Sequence, residues 1–266
     1  MNLSAKLWRK SAVVLAIVCA NLIPVAVAED GRGLEIATER KNRDQGWGDS
    51  LSQMEMILTD AQGASSTRLM RLKSLEVDDD GDKGLTIFDQ PRDVKGTAFL
   101  NHSHIAEPDD QWLYLPALKR VKRISSRNKS GPFMGSEFSY EDLSSFELEK
   151  YRFKLLKQEE FAQVNSYVLE QIPTDKYSGY SKQITWLDAE HYRPLKVEFY
   201  DRRGALLKTL TFSEYHQYLN QYWRAHKMVM VNHLSGKRTE LITSKLQFQT
   251  GLTTKDFQQN ILKRIR

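Results

Sequence analysis

The chain predicts a mainly β protein of the α+β kind, one domain of about ten short antiparallel strands with a few helices. Three observations carry this expectation. Short segments alternate apolar and polar side chains, and turns bearing Gly, Asp or Ser separate them. Several strands are apolar on both faces: Trp112 and Tyr114 point one way, Leu113 and Leu115 the other, and Met228 and Met230 oppose Val229 and Val231. No linker, low-complexity tract or short repeat divides the chain. A sheet with one wet face alternates cleanly. Strands apolar on both faces fit a sheet curled around an apolar interior and covered outside, or a sheet with a helix packed on its second face.

In chain order, Leu34 to Arg43 reads as a short amphipathic helix ended near Gly46 and Gly48. Ser50 to Thr59 alternates with Met54, Met56 and Leu58 on one face. Ala61-Gln62-Gly63 turns the chain into a return strand, Ser66 to Val77. Asp78 to Gly84 is a polar turn, and Leu85 to Phe88 resumes the sheet. Pro91 to Gly96 breaks the pattern before strands at Phe99 to Ile105 and Gln111 to Leu115. Ser139 to Asp142 has the Ser-x-x-acid spacing that caps a helix, so a short helix is expected over Tyr140 to Phe146. Strands follow at Arg152 to Gln158, Val164 to Ile172, Lys182 to Leu187, Leu195 to Tyr200, Leu206 to Glu214, Tyr222 to Val231 and Arg238 to Phe248. Thr254 to Ile265 reads as a closing helix with Phe257, Ile261 and Ile265 near helical spacing.

Residues 1–28 have the make-up of a cleaved secretory leader. Lys6, Arg9 and Lys10 precede an apolar run, and Ala26-Val27-Ala28 is a small-residue cleavage signal, placing the cut before Glu29. A single domain, residues 29–266, then remains, expected to be exported to the periplasm and soluble there. Its length suffices to bury a core without staples. The one cysteine, Cys19, leaves with the leader, and Val18 and Ala16 do not fit a lipidation signal. The net charge of +5 falls to +2 once Lys6, Arg9 and Lys10 are gone. Bulk charge therefore gives no support to nucleic-acid binding.

The densest chemistry lies in Gln111 to Leu143. A Trp-Leu-Tyr-Leu strand leads into a basic hairpin (Lys119, Arg120, Lys122, Arg123), then into a Gly-bearing loop with Phe133, Met134, Phe138 and Tyr140. That sequence suits an amphiphile with an apolar body and a polar head better than it suits bond-making chemistry. WLYLPALKRVKRI followed by GPFMGSEFSYEDL, together with Asp80 to Leu100 and Tyr192 to Phe212, resembles the outer-membrane lipoprotein-sorting proteins, relatives of the LolA/LolB periplasmic carriers. The resemblance spans most of the mature chain. It implies a strongly curved antiparallel sheet forming an incomplete barrel, covering helices and an apolar cavity that holds acyl chains of a lipoprotein or lipid. Relatives often stand beside exporters of the resistance-nodulation-division type. This makes an exporter accessory or adaptor protein the alternative, with an inner-membrane exporter or an outer-membrane acceptor as partner and only transient membrane contact.

Burying one methylene is worth about 0.8 kcal/mol, so an acyl chain needs a dry pocket rather than a catalytic group. Candidate lining residues are Met54, Met56, Leu58, Trp112, Tyr114, Phe133, Met134, Phe138, Tyr140, Trp186, Met228 and Met230; methionine's unbranched side chain adapts to varied cargo. Each methionine serves equally as core filler. Phe133 and Met134 either gate a cavity mouth or tuck onto the core. Lys119, Arg120, Lys122 and Arg123 either dock a headgroup or acidic partner or form a solvated hairpin. His102-x-His104 has two rings on one strand face and no third ligand nearby. Asp78 to Asp82 lacks the order of a calcium loop. No G-x-S-x-G elbow accompanies Ser136 and Ser139. The expectation is a non-enzymatic protein without a cofactor or metal; a lipid-modifying hydrolase is the remaining alternative.

Overall fold

The computed structural model describes residues 25–265, so the leader lies outside the described residues up to position 24. Helix α1 runs over Val25–Arg43. Thirteen strands follow: β1 (Asp49–Thr59), β2 (Ser65–Leu75), β3 (Lys83–Gln90), β4 (Ala98–His102), β5 (Asp110–Leu115), β6 (Arg120–Ile124), β7 (Tyr151–Phe161), β8 (Val164–Pro173), β9 (Tyr180–Asp188), β10 (Pro194–Asp201), β11 (Leu206–Tyr218), β12 (Tyr222–Asn232) and β13 (Arg238–Phe248). They form one antiparallel sheet in the order β6-β5-β4-β3-β2-β1-β13-β12-β11-β10-β9-β8-β7. Strands neighbouring in sequence are neighbours in space except β6 and β7, which form the two edges, and the first and last strands meet in the middle, Met56 opposite Leu241. The basic hairpin supplies a strand of its own, β6, which sequence periodicity does not show because Arg120, Lys122 and Arg123 interrupt it.

The sheet is open, with β6 and β7 as its edges. Its curvature is read from its contacts. Met56 of β1, Phe99 of β4, Leu113 of β5, Phe199 of β10, Leu210 of β11 and Met230 of β12 belong to one buried cluster. Strands so far apart in a flat sheet cannot share a core; a sheet bent into an incomplete barrel can. The outer face over β3 to β5 buries Leu85, Ile87, Leu100 and Tyr114 beneath Phe257 and Leu262. The last two residues sit on consecutive 3-10 turns, Thr254–Phe257 and Gln259–Arg264, rather than on the continuous helix expected. Similarly, the capping box at Ser139 and Asp142 is present but opens only a 3-10 turn, Tyr140–Leu143.

Two segments cover the inner face. The connection 125–150 runs from one sheet edge to the other. Helix α1 lies across β7 to β9, where Ile36 packs on Leu169 and Leu187. Its approach to β7 is set by Gly33, where a Cβ would lie 2.7 Å from the Leu155 nitrogen and 2.8 Å from Lys154 backbone atoms. Gly33→Ala is therefore expected to destabilise the protein by about 1–3 kcal/mol through overpacking, although alanine is the better helix former by about 1 kcal/mol. Backbone cannot step aside as a flexible side chain does. Urea unfolding measures the difference, and a raised midpoint would show that helix and strand have room to spare.

Candidate functional site

The 125–150 connection is built to lie inside the sheet. Met134 and Gly135 both take positive φ, 51° and 76°, and the Ser136 amide donates to the Phe133 carbonyl at 2.9 Å. This tight reversal carries Phe133 and Phe138 inward. Phe133, 1% exposed, stands 5.2 Å from Phe99, 5.7 Å from Tyr140 and 5.9 Å from Phe88 between ring centroids. Polar contacts fix the rest of the segment. Lys208 of β11 donates to Asp142 at 2.6 Å and to the Glu137 carbonyl at 2.9 Å. The Tyr180 hydroxyl donates to Asp142 at 2.7 Å. Lys41 of α1 donates to Glu147 at 2.9 Å and to the Phe146 carbonyl at 3.1 Å.

The candidate lining residues divide between the two faces. Met54, Met56, Phe133, Phe138 and Met230 belong to the inner cluster, with Leu58, Met134, Tyr140 and Met228 packed against it. Trp112 and Tyr114 do not join them. They lie on the outer face with Phe257 and Leu262, because Leu113, one residue along, takes the inner side opposite Phe99. Trp186 is also outside, with Val168 and Leu195 and the Lys196 ammonium 3.5 Å above its ring. Period-two alternation shows that neighbouring side chains face opposite ways but leaves open which face is inside.

Of the cavities among the described residues, two adjoin each other at Arg40. The first, about 400 Å³, lies between the connection and β8 to β11; Phe146, Tyr151, Gln183, Val197, Phe199 and Leu210 line it. The second, about 580 Å³, lies under the end of α1, with Trp47, Tyr192, Phe212, Tyr215, Trp223 and Met228 in its wall. Both volumes fall in the range of small-ligand clefts, about 300–1,000 Å³. Arg40 of α1 borders both. Of the twelve lining candidates only Met228 reaches either cavity; the space over Met54, Met56 and Met230 is taken by the aromatic loop.

Three further arginines, Arg43, Arg193 and Arg224, border the second cavity, as do Asp44 and Asp82. Burial raises the Asp82 carboxyl to about 6, with Lys41 opposing and Glu147 and Glu76 adding to the rise. A carboxyl raised in the folded state binds more protons there than in the unfolded chain between its unfolded value near 3.8 and about 6. Its contribution to stability is therefore greatest below the unfolded value and is lost as pH rises through about 6. Asp82→Asn is expected to raise the melting temperature at pH 8 and to leave it nearly unchanged at pH 3.5. An equal effect at both pH values would remove the ionised carboxylate as the cause.

The basic residues Arg120, Lys122 and Arg123 lie exposed on edge strand β6, Lys119 just before it, with Arg123 paired to Asp110. Charged side chains on an edge deter pairing with other chains. His102 and His104 do not share a strand face: β4 ends at His102, whose Nε2 meets the Phe257 carbonyl at 2.7 Å, while His104 Nδ1 meets Asp80 at 2.6 Å. Among the described residues no helix is long and apolar enough to cross a membrane. Sequence reasoning missed Arg40, although Gly33, Ile36, Ala37 and Arg40 follow the i, i+3, i+4, i+7 spacing of one helix face. An arginine on a stripe otherwise closed to water was the available signal.

A curved open sheet with cavities between it and its covering segments defines a half-barrel fold. A protein family described as uncharacterized matches residues 80–264. The crystal structure of an outer membrane lipoprotein-sorting protein domain from Vibrio parahaemolyticus is 75% identical, covering 88% of this chain and all of that one, with a TM-score of 0.87. A DUF1329 family protein from Desulfovibrio piger is 29% identical over 88% of this chain and 99% of its own, TM-score 0.84. The LolA superfamily protein from Nitrosomonas europaea, 22% identical over 86% of this chain and 98% of its own, shares the fold at a TM-score of 0.68. No curated protein matches the sequence. The chain belongs to the outer-membrane lipoprotein-sorting protein family.

Proposed function

We propose that the mature chain is a periplasmic carrier that holds acyl chains non-covalently inside the half-barrel. The observation that supports this best is the pair of adjoining interior cavities of about 400 and 580 Å³ beside a continuous apolar cluster. Val197, Phe199 and Leu210 offer one apolar wall, and Phe212 and Met228 the other. Transfer of an acyl chain into such a wall is driven by methylene burial, part of which binding entropy takes back. No covalent step is needed, and a carrier that must release its cargo gains from walls that adapt.

The aromatic loop then acts as a stand-in for cargo. Withdrawal of Phe133 and Phe138 would open the bowl over Met54, Met56 and Met230 to a longer chain. On this reading Lys119, Arg120, Lys122 and Arg123, beside Leu118 at 69% exposure, form the docking edge for a membrane headgroup or an acidic envelope partner.

Native purification of the mature protein, solvent extraction and lipid mass spectrometry test the proposal. A stoichiometric acyl-bearing species supports it and identifies the cargo class. A protein that is empty and also fails to take up a fluorescent fatty acid overturns it and favours an exporter-adaptor role.

A further inference from the structure

Four guanidinium groups border the second cavity, and three of them are held by acceptors. Arg43 donates to Glu39 and to the Glu190 carbonyl, each at 2.6 Å. Arg193 donates to Asp188 at 2.7 Å. Arg224 donates to Asp44 at 2.5 Å and to the Trp223 carbonyl at 3.1 Å. Arg40 has no hydrogen-bond acceptor among the described residues. Its Cζ lies 4.0 Å from the Phe146 ring centroid, an attractive contact with a ring that offers no in-plane acceptor. Burial is the main influence on the group, with Asp44, Tyr151 and Tyr215 the charged or ionisable groups near enough to act on it. An arginine remains protonated even so, and its five donors form a planar fork suited to two oxygens of one anion.

The side chain is half-buried and, among the described residues, no fully buried side-chain nitrogen lacks a partner, so the donors of Arg40 that meet no protein acceptor face solvent in the cavities and can exchange it for an anion. Ile36 and Ala37 are the α1 residues buried against the sheet. The two cavities differ in sign. Six carboxylates, Glu107, Asp109, Glu141, Asp142, Glu149 and Asp175, border the first against Arg40, Lys129 and Lys150. In the second, four arginines face Asp44 and Asp82. An anion meeting Arg40 is thus favoured on the side of the second cavity, with Phe212 and Met228 beside it for an apolar tail.

We propose that Arg40 is the headgroup anchor of the interior site, and that the ligand bound there carries a phosphate or carboxylate on an acyl or alkyl tail. This rests on the carrier reading and narrows it, since an uncharged acyl chain would leave the guanidinium unpaired.

The test compares dodecyl phosphate, dodecanol and inorganic phosphate, all below micellar concentrations, on the mature wild-type protein and on Arg40→Met, Arg40→Lys and Arg40→Gln. Methionine keeps an unbranched stem against Phe146 without the charge. A charged hydrogen bond is worth roughly ten- to hundredfold in affinity. Wild type is expected to prefer dodecyl phosphate to dodecanol by that factor. Arg40→Met and Arg40→Gln should abolish the preference while leaving dodecanol binding unchanged, and Arg40→Lys should restore part of it. The melting temperature of Arg40→Met should hold, because the guanidinium has no protein acceptor to lose and the methionine stem keeps the contact with Phe146. Equal wild-type affinity for both amphiphiles, a preference that survives in Arg40→Met, or a fall of several degrees in its melting temperature would overturn the anchor. Dodecanol binding without preference leaves the carrier standing and removes the anchor. Arg40-dependent binding of inorganic phosphate with neither amphiphile bound keeps the anion site and removes the carrier. No binding of any probe removes both.

Discussion

Phe133→Ala is expected to lower stability by about 3–5 kcal/mol and to increase uptake of an uncharged acyl probe. The ring is 1% exposed and stands within 6 Å of Phe88, Phe99 and Tyr140. Truncation therefore loses the transfer energy of a benzyl group and leaves a cavity whose walls belong to two strands and a 3-10 turn and cannot all collapse inward. Phe133 belongs to the same inner cluster as Met70 and Met230, which is what couples the two readouts. Urea unfolding gives the stability change, and fluorescent fatty-alcohol titration gives the uptake. A loss below 1 kcal/mol would show that the loop does not depend on this ring. A lowered stability with unchanged uptake would show that the bowl does not receive acyl chains.

Lys208→Met is the other substitution expected to have a large effect, about 3–5 kcal/mol destabilising. The Lys208 and Asp142 side chains are 5% and 4% exposed, so the pair has given up water on both sides. Removing the ammonium leaves Asp142 with Tyr180 and the Ser139 amide as donors and no neutralising charge at 2.6 Å. It also frees the Glu137 carbonyl, which the ammonium now satisfies. The connection 125–150 would lose its tie to β11, and exchange of its amide protons should rise before global unfolding. Asp142→Asn alone should also destabilise, and the double variant should lose less than the two single losses combined. Additive losses would show that the two groups act separately.

Much of the sheet was legible in the sequence because strands declare themselves locally. Alternation and turn residues placed twelve of the thirteen strands. They failed at β6, where an edge strand carries charge on successive exposed positions, and at the C terminus, where apolar residues at helical spacing fold as two 3-10 turns pinned by the burial of Phe257 and Leu262. The site was less legible. Of the lining candidates, Met54, Met56, Met228 and Met230 share the inner face, with Met228 alone of them bordering a cavity, whereas Trp112, Tyr114 and Trp186 lie on the outer one. Phe133 and Met134 carried two readings, gate or core, and Phe133 lies in the core.

Local chemistry, then, determined from sequence alone that this is a mainly β chain of antiparallel hairpins with several strands apolar on both faces, since hydrogen-bonded hairpins and period-two alternation depend on near neighbours. Tertiary structure alone decided which face is inside, that a segment of the chain fills the methionine bowl, and that Arg40 stands without an acceptor between two cavities. Those depend on where an edge-to-edge connection and a helix distant in sequence come to rest on a curved sheet, and alternation along a strand is the same whichever side they cover.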